Sequence, residues 1–301
     1  MRTKSGLLIA ITLASSLALS GCAAKETIEP KTANFLAGKF VTTANGTYLD
    51  GFTPGKPDVG FTLEAIAQLS QAPSIDLSKV EKWALANTDQ ILNDKGNLNV
   101  GLAAKWLYVS ELVNYDNKPL RESITAKLVK YWTPTYDPTY SRNTFDTAWS
   151  VLGLKAVGQN VAAHEAAVSL SISRRADNGW GTDTSATTTS SSADATAIAL
   201  MAFTVTDFSE PAFTAKAWLQ ANLHTDHYEA WGDGDVNGTA YATMALHAAG
   251  EDVSKLQAWL KLQVTKDGGL KTPWSNGKGD TFATAQAYLP LIGEDYVGLT
   301  K

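Results

Sequence analysis

One pattern recurs six times along this chain: an Asp or Asn followed by an Ala-rich, apolar run of helical length. The copies begin at Asp58, Asn99, Asn143, Asp194, Asn237 and Asp280, so that consecutive copies lie 41, 44, 51, 43 and 43 residues apart. A near-constant period in this range marks a repeat protein, in which one unit cannot bury its apolar face alone and must pack on its neighbours. The opening Asp or Asn suits a helix N-cap, whose side-chain oxygen accepts a hydrogen bond from a free backbone N–H.

A second kind of helix alternates with the first. Segments 78–92, 120–132, 161–175, 212–223 and 253–264 place apolar residues at helical spacing with a polar opposite face, as in Ile124, Leu128 and Trp132. That pattern belongs to a helix wet on one side. The Ala-rich runs are small nearly all round, as in Ala240, Ala242, Ala245, Ala248 and Ala249, and a helix apolar all round is buried. The segment 33–41 supplies a first, shorter outer partner. The expected fold is therefore all-α, an (α/α)6 toroid of six helix-pair repeats spanning residues 33–301.

The N-terminus reads as an export signal. Arg2 and Lys4 precede a 13-residue apolar stretch, Leu7 to Leu19. It is short of the roughly 20 residues a spanning helix needs but suits a signal-peptide core. Leu19-Ser20-Gly21-Cys22 then has the form of a bacterial lipobox. Residues 1–21 are expected to be a lipoprotein signal peptide, Cys22 the lipidation site, and 22–32 the lipidated Cys and tether. Cys22 is the only cysteine, so no internal disulfide staples the domain. The expected location is the extracytoplasmic face of a bacterial membrane, held by a lipid anchor. A net charge of −5 without a basic cluster argues against a nucleic-acid partner.

The loops entering the later Ala-rich helices are Gly-rich. Arg175-Ala-Asp-Asn-Gly-Trp-Gly, followed by Ala193-Asp-Ala-Thr-Ala-Ile-Ala-Leu-Met-Ala, resembles the Gly-Trp motif and following inner helix of the prenyltransferase/squalene-oxidase repeat. Asp267-Gly-Gly-Leu is a weaker copy. That repeat belongs to the terpenoid cyclase and protein prenyltransferase α/α-toroid superfamily, and the resemblance covers roughly residues 33–293. It implies a toroid with a cavity at one mouth. The family's chemistries do not carry over. The Asp, Cys and His zinc ligands of the prenyltransferases lack their Cys in the mature chain. The cyclases' Asp-x-Asp-Asp motif is approached only by Asp233-Gly-Asp-Val, which lacks the final Asp. The helical domain of cobalamin carriers shares the architecture, which makes cobalamin one candidate among small-molecule ligands.

The mouth side gathers Asp58, Asp146, Asp183, Glu229, Asp233, Asp235 and Asp280. Asp146 stands out, because it falls three residues into its run, where the other copies carry Phe61, Leu102, Ala197, Ala240 or Ala283. A carboxylate at an otherwise apolar inner position must be bonded or face water. The ligand-binding set expected at the mouth is Phe145, Asp146, Trp149, Trp180, Trp231 and Asp280. His224, His227 and Glu229 lie within six residues, but no second cluster completes a site, so no metal and no cofactor are expected. The Ser/Thr-rich stretch 182–193 reads as a loop beside the mouth. The leading functional expectation is an anchored lipoprotein that binds a small-molecule, glycan or protein ligand at the mouth without catalysis. The alternative is a carbohydrate-active hydrolase or lyase using Asp146 with a loop acid, Asp233 or Asp235, since paired carboxylates in an aromatic groove cleave glycosidic bonds.

Overall fold

The computed structural model describes residues 27–89, 91, 98–133, 143–183 and 190–300. The signal segment 1–21, Cys22 and residues 184–189 of the Ser/Thr-rich stretch lie outside the described residues. Among those described, twelve helices alternate between an outer and an inner layer. The inner helices are α2 (Val59–Leu69), α4 (Val100–Leu112), α6 (Thr144–Ala156), α8 (Ala193–Val205), α10 (Val236–Ala248) and α12 (Thr281–Ile292). The outer ones are α1 (Ile28–Ala37), α3 (Ser78–Ala86), α5 (Lys118–Trp132), α7 (Asn160–Ile172), α9 (Ser209–Ala221) and α11 (Ser254–Gln263). Two small antiparallel hairpins, β1–β2 (Val41–Thr43 with Gly46–Tyr48) and β3–β4 (Glu229–Ala230 with Asp233–Gly234), decorate the loops.

The inner helices close a ring, each packed on the next and α12 packed back on α2. This is the (α/α)6 toroid. The Ala-rich sequences allow it, because small side chains let helix backbones approach. At Gly153 of α6 an added Cβ would come within 2.3 Å of the Ala104 carbonyl oxygen on α4. The outer helices pack mainly on the inner helix that precedes them, so α1 partners α12 rather than α2. The pairing expected from sequence order is thereby shifted by one element, and the first helix of the chain closes the ring against the last. Helix α1 also begins at Ile28, taking in residues read as tether.

Two helix starts differ from the sequence expectation. Helix α8 is preceded by Ser192 and α10 by Asp235, each in extended backbone conformation, so Asp194 and Asn237 sit in the first turn rather than at the cap. The caps at Asp58, Asn99, Asn143 and Asp280 are as expected, each side chain accepting a first-turn N–H at 2.8–3.3 Å, an arrangement worth typically about 1 kcal/mol.

A threonine four residues after the cap locks four of the entering loops. The backbone N–H groups of Leu49, Trp180, Tyr228 and Leu270 donate to the hydroxyls of Thr62, Thr196, Thr239 and Thr284 at 2.9–3.0 Å. The carbonyls of the same four residues accept the N–H of the cap residue at 2.8–3.0 Å. The four side chains so placed are buried, and the Trp180 and Tyr228 heads reach carbonyls of the outer helices at Leu170 and Leu219.

The end of the ring away from the helix N-termini is filled by the chain after α12. Gly293 ends that helix in the left-handed conformation (φ 83°). Asp295 then accepts from Gly298 N–H and lies 2.7 Å from His247 Nδ1. Tyr296, fully buried, pushes into the axis and takes a hydrogen bond from Gln68 Nε2 at 2.7 Å, while its carbonyl accepts from Tyr108 OH.

Candidate functional site

The N-termini of the six inner helices converge on one mouth, and the cavity there has a volume of about 480 Å³, within the range of small-ligand sites. Its rim is the second residue of each inner helix: Gly60, Gly101, Phe145, Asp194, Asn237 and Phe282. One helical turn deeper, a second tier supplies Glu64, Lys105, Trp149, Tyr241 and Gln286. Beneath them lies Tyr296, with ring centroids 5.0 Å from Trp149 and 6.4 Å from Tyr241. The i, i+4 spacing of an α-helix stacks the two tiers.

Glu64 is the hub of the deeper tier. Its Oε2 pairs with Lys105 Nζ at 2.8 Å, and its Oε1 accepts from Tyr241 OH at 2.5 Å and from Gln286 Nε2 at 3.3 Å. Asn237 Nδ2 in turn donates to Gln286 Oε1 at 2.6 Å. Lys105 also lies over the Trp149 ring, 5.0 Å from its centroid. Burial, with the Glu64 charge behind it, holds the Tyr241 hydroxyl well above the ordinary tyrosine range, so Tyr241 acts as a donor.

Asp146 differs from Glu64. Its carboxylate leans over Gly101 of the adjacent helix, where a Cβ would sit 1.9 Å from Oδ1. Among the described residues no hydrogen bond ties that carboxylate down. Burial raises its pKa, and the Lys105 charge pulls the other way without cancelling the effect. Asp194 keeps one oxygen occupied: Oδ1 accepts from Ser192 Oγ at 2.5 Å and from Ala195 N–H at 2.8 Å. Asp58 is engaged as the α2 cap.

Of the residues expected at the mouth, Phe145, Asp146 and Trp149 line this cavity. Asp280 lines an adjoining cleft as the α12 cap. Trp180 is fully buried between α7 and α8, held by the threonine lock. Trp231 stands 88 % exposed at the tip of the β3–β4 hairpin, against Trp274. Asp233 is exposed on that hairpin, and Asp235 precedes α10 with its carboxylate against Gly238. Burial raises the Asp235 pKa, and the nearby Asp194 charge adds to it. Neither Asp233 nor Asp235 is among the cavity-lining residues. His227 stacks on Trp259 (4.7 Å, 6°) and pairs with Asp226, while His224 lies 3.4 Å from Glu229. Among the described residues no group of three or more His, Cys, Asp or Glu is arranged to hold a metal ion, and no helix is long and apolar enough to cross a membrane.

Sequence reasoning passed over Glu64, Lys105, Tyr241 and Gln286. A signal existed, because each lies six residues after its cap, in the same column as Trp149. Starting the fifth repeat at Asn237 instead of Asp235 moved Tyr241 out of that column.

The sequence matches no family model and no curated protein. Solved structures do match in fold. An inactive variant of the α-1,6-mannanase of Salegentibacter sp. HEL1_6, in complex with α-1,6-mannotriose, superposes with a TM-score of 0.63 at 10 % identity, covering 91 % of this chain and 99 % of that one. A glycosidase in complex with glucose gives 0.59 at 16 % identity, over 90 % and 96 %. A UGL variant with dGlcA-Glc-Rha-Glc gives 0.58 at 12 % identity, over 88 % and 94 %. At such identities the likeness establishes the fold. The chain is an (α/α)6 toroid, an architecture it shares with glycosidases.

Proposed function

We propose that this protein binds a glycan in the mouth of the toroid and cleaves it, with Asp146 as the general acid. The observation that carries the reading is Asp146 itself, a carboxyl held toward its protonated form by burial in an aromatic-walled cavity and left without a fixed hydrogen bond. A raised carboxyl pKa is what proton donation to a glycosidic oxygen requires near neutral pH. The glycosidase and mannanase toroids add support from fold alone.

In a hydrolytic step, Asp146 gives its proton to the bridging oxygen as the C–O bond breaks. Water attacks the anomeric carbon, and a second carboxylate takes the proton that water loses. Asp194 suits this second role better than Glu64. Both of its hydrogen bonds fall on Oδ1, leaving Oδ2 without one among the described residues, whereas both oxygens of Glu64 are engaged. Phe145, half-buried at the rim, offers a ring for the apolar face of a sugar, while Trp149 and Tyr241 are buried in the tier below it.

Anchoring is a further part of the reading. The lipobox-like run Leu19–Cys22 supports an extracytoplasmic protein held in a bacterial membrane by a lipid on Cys22. The Gly179-Trp180 motif likewise supports kinship with the prenyltransferase/squalene-oxidase repeat. Palmitate incorporation in the native host, abolished by Cys22→Ser, checks the anchor. For the activity, reducing-end release is measured across a panel of neutral, amino and uronic glycans. Cleavage by the wild type and loss of about a thousandfold in Asp146→Asn are expected, within the range general acid catalysis typically supplies for an unactivated leaving group. Equal rates for the two proteins would overturn the assignment. Saturable binding with no turnover would favour a non-catalytic glycan-binding role.

A further inference from the structure

The cavity is not closed at its side. A cleft of about 330 Å³ adjoins it between the loop entering α2 and the start of α12, and the two share Asp58 and Phe282 as common walls. Phe282, 39 % exposed, faces both spaces. Its ring lies 5.6 Å from that of Phe52 and 5.4 Å from that of Phe61, forming a shelf of three aromatic rings that leads outward. Phe52, at the outer end, is 91 % exposed. The turn that carries it is fixed by Asp50, whose Oδ2 accepts from Gly55 N–H at 2.8 Å, and by the Gly51 N–H to Lys56 carbonyl bond. Hydrogen bonds therefore order the loop that carries the exposed phenyl group beside the cleft.

An exposed aromatic shelf continuous with a buried site marks a binding groove. Its composition points to one occupant. The apolar C–H faces of pyranose rings pack on aromatic rings, and the carboxylates of Asp58 and Asp280 along the cleft can accept hydroxyl hydrogen bonds. Building on the proposed glycan reading, we infer that the cleft is a second subsite, taking the continuation of a linear glycan chain whose reacting linkage lies in the cavity. The substrate class is then a linear oligosaccharide or polysaccharide rather than a monosaccharide glycoside or a disaccharide.

Calorimetry on the full chain carrying Asp146→Asn tests this without turnover. The probes are linear β-1,4-glucan, α-1,6-mannan and β-1,4-N-acetylglucosamine oligosaccharides of two to six units. Affinity is expected to rise by about tenfold or more from the shortest to the longest member of the recognised ladder. Adding Phe52→Ala should bring that ratio close to one, and Phe52→Trp should preserve it. Affinity that does not grow with length, or a ratio untouched by Phe52→Ala, overturns the cleft assignment while leaving the cavity reading standing. Failure of every ladder to bind brings down the glycan reading and the cleft with it.

Discussion

The Asp146 carboxylate rests on the bare Cα of Gly101, one helix away, at a distance that leaves no room for a methyl group. A Cβ at residue 101 would overlap Oδ1 at 1.9 Å, and Asp146 is the flexible partner that must give way. Gly101→Ala should therefore fold, gaining some helix propensity over Gly, yet turn the carboxylate out of its place. The expected result is a cavity activity reduced by on the order of a hundredfold, the scale of a misplaced reacting group, with a melting temperature near the wild type. Unchanged glycan cleavage in a folded Gly101→Ala protein would remove Asp146 from the reaction.

The raised pKa of Asp146 gives a pH signature with a definite sign. Its folded-state value lies above its unfolded value because burial disfavours the charged form. The group's contribution to stability is then fully present below the unfolded carboxyl pKa of about 3.9. It is lost as pH rises through the folded value. Denaturant melts of wild type and Asp146→Asn across that window should show the wild type losing ground to the variant as pH rises. Cleavage should fade over the same rise, because the general acid loses its proton. A stability difference that stays flat with pH would show that Asp146 is not perturbed.

Glu64 and Lys105 make an ion pair with little solvent contact, their side chains 6 % and 14 % exposed. Breaking such a pair from one side leaves an uncompensated charge, which typically destabilises by about 3–5 kcal/mol. Glu64→Gln and Lys105→Met should each fall near that range. The double variant should recover part of the loss, with a coupling of about 0.5–3 kcal/mol. Strict additivity in urea melts would mean that the 2.8 Å contact contributes no pairwise energy. The cavity should suffer as well, since Lys105 bridges Glu64 and the Trp149 ring.

The toroid was legible in the sequence because its cause is periodic. A helix start and a small-residue core recur every forty-odd residues, and a closed ring of helix pairs buries six such helices at once. The helix pairing at the closure was not legible. Nothing local in residues 28–37 announces that their partner is α12, because that contact depends on where the whole ring ends. The cavity was half legible. Asp146 and its neighbours stood out as a polar break in an apolar run, whereas Glu64, Lys105 and Gln286 look like ordinary helix formers until the repeats are set in register. That register was misread at α8 and α10, where an acidic or amide residue in the first turn mimics a cap. Ser192 and Asp235 are the residues in extended backbone at those starts.

The column that would have fixed the register is the threonine four residues after five of the six caps, absent only after Asn99, where Ala103 stands, and Thr196 shows why it is there. Its hydroxyl accepts the Trp180 N–H at 3.0 Å, while the Ser192 N–H donates to the Trp180 carbonyl at 2.9 Å. Both backbone groups of a fully buried tryptophan are thus satisfied by the helix it precedes. This accounts for a tryptophan that resembles a ligand platform in sequence and serves as a core anchor in the fold. Thr196→Val keeps the volume but removes the acceptor, leaving the Trp180 N–H buried and unpaired, at an expected cost of about 1–3 kcal/mol. Thr196→Ser keeps the hydroxyl and should lose less. Urea melts of the two variants decide the matter: a Ser variant less stable than the Val variant would mean that packing of the threonine methyl, rather than the hydrogen bond, holds the loop.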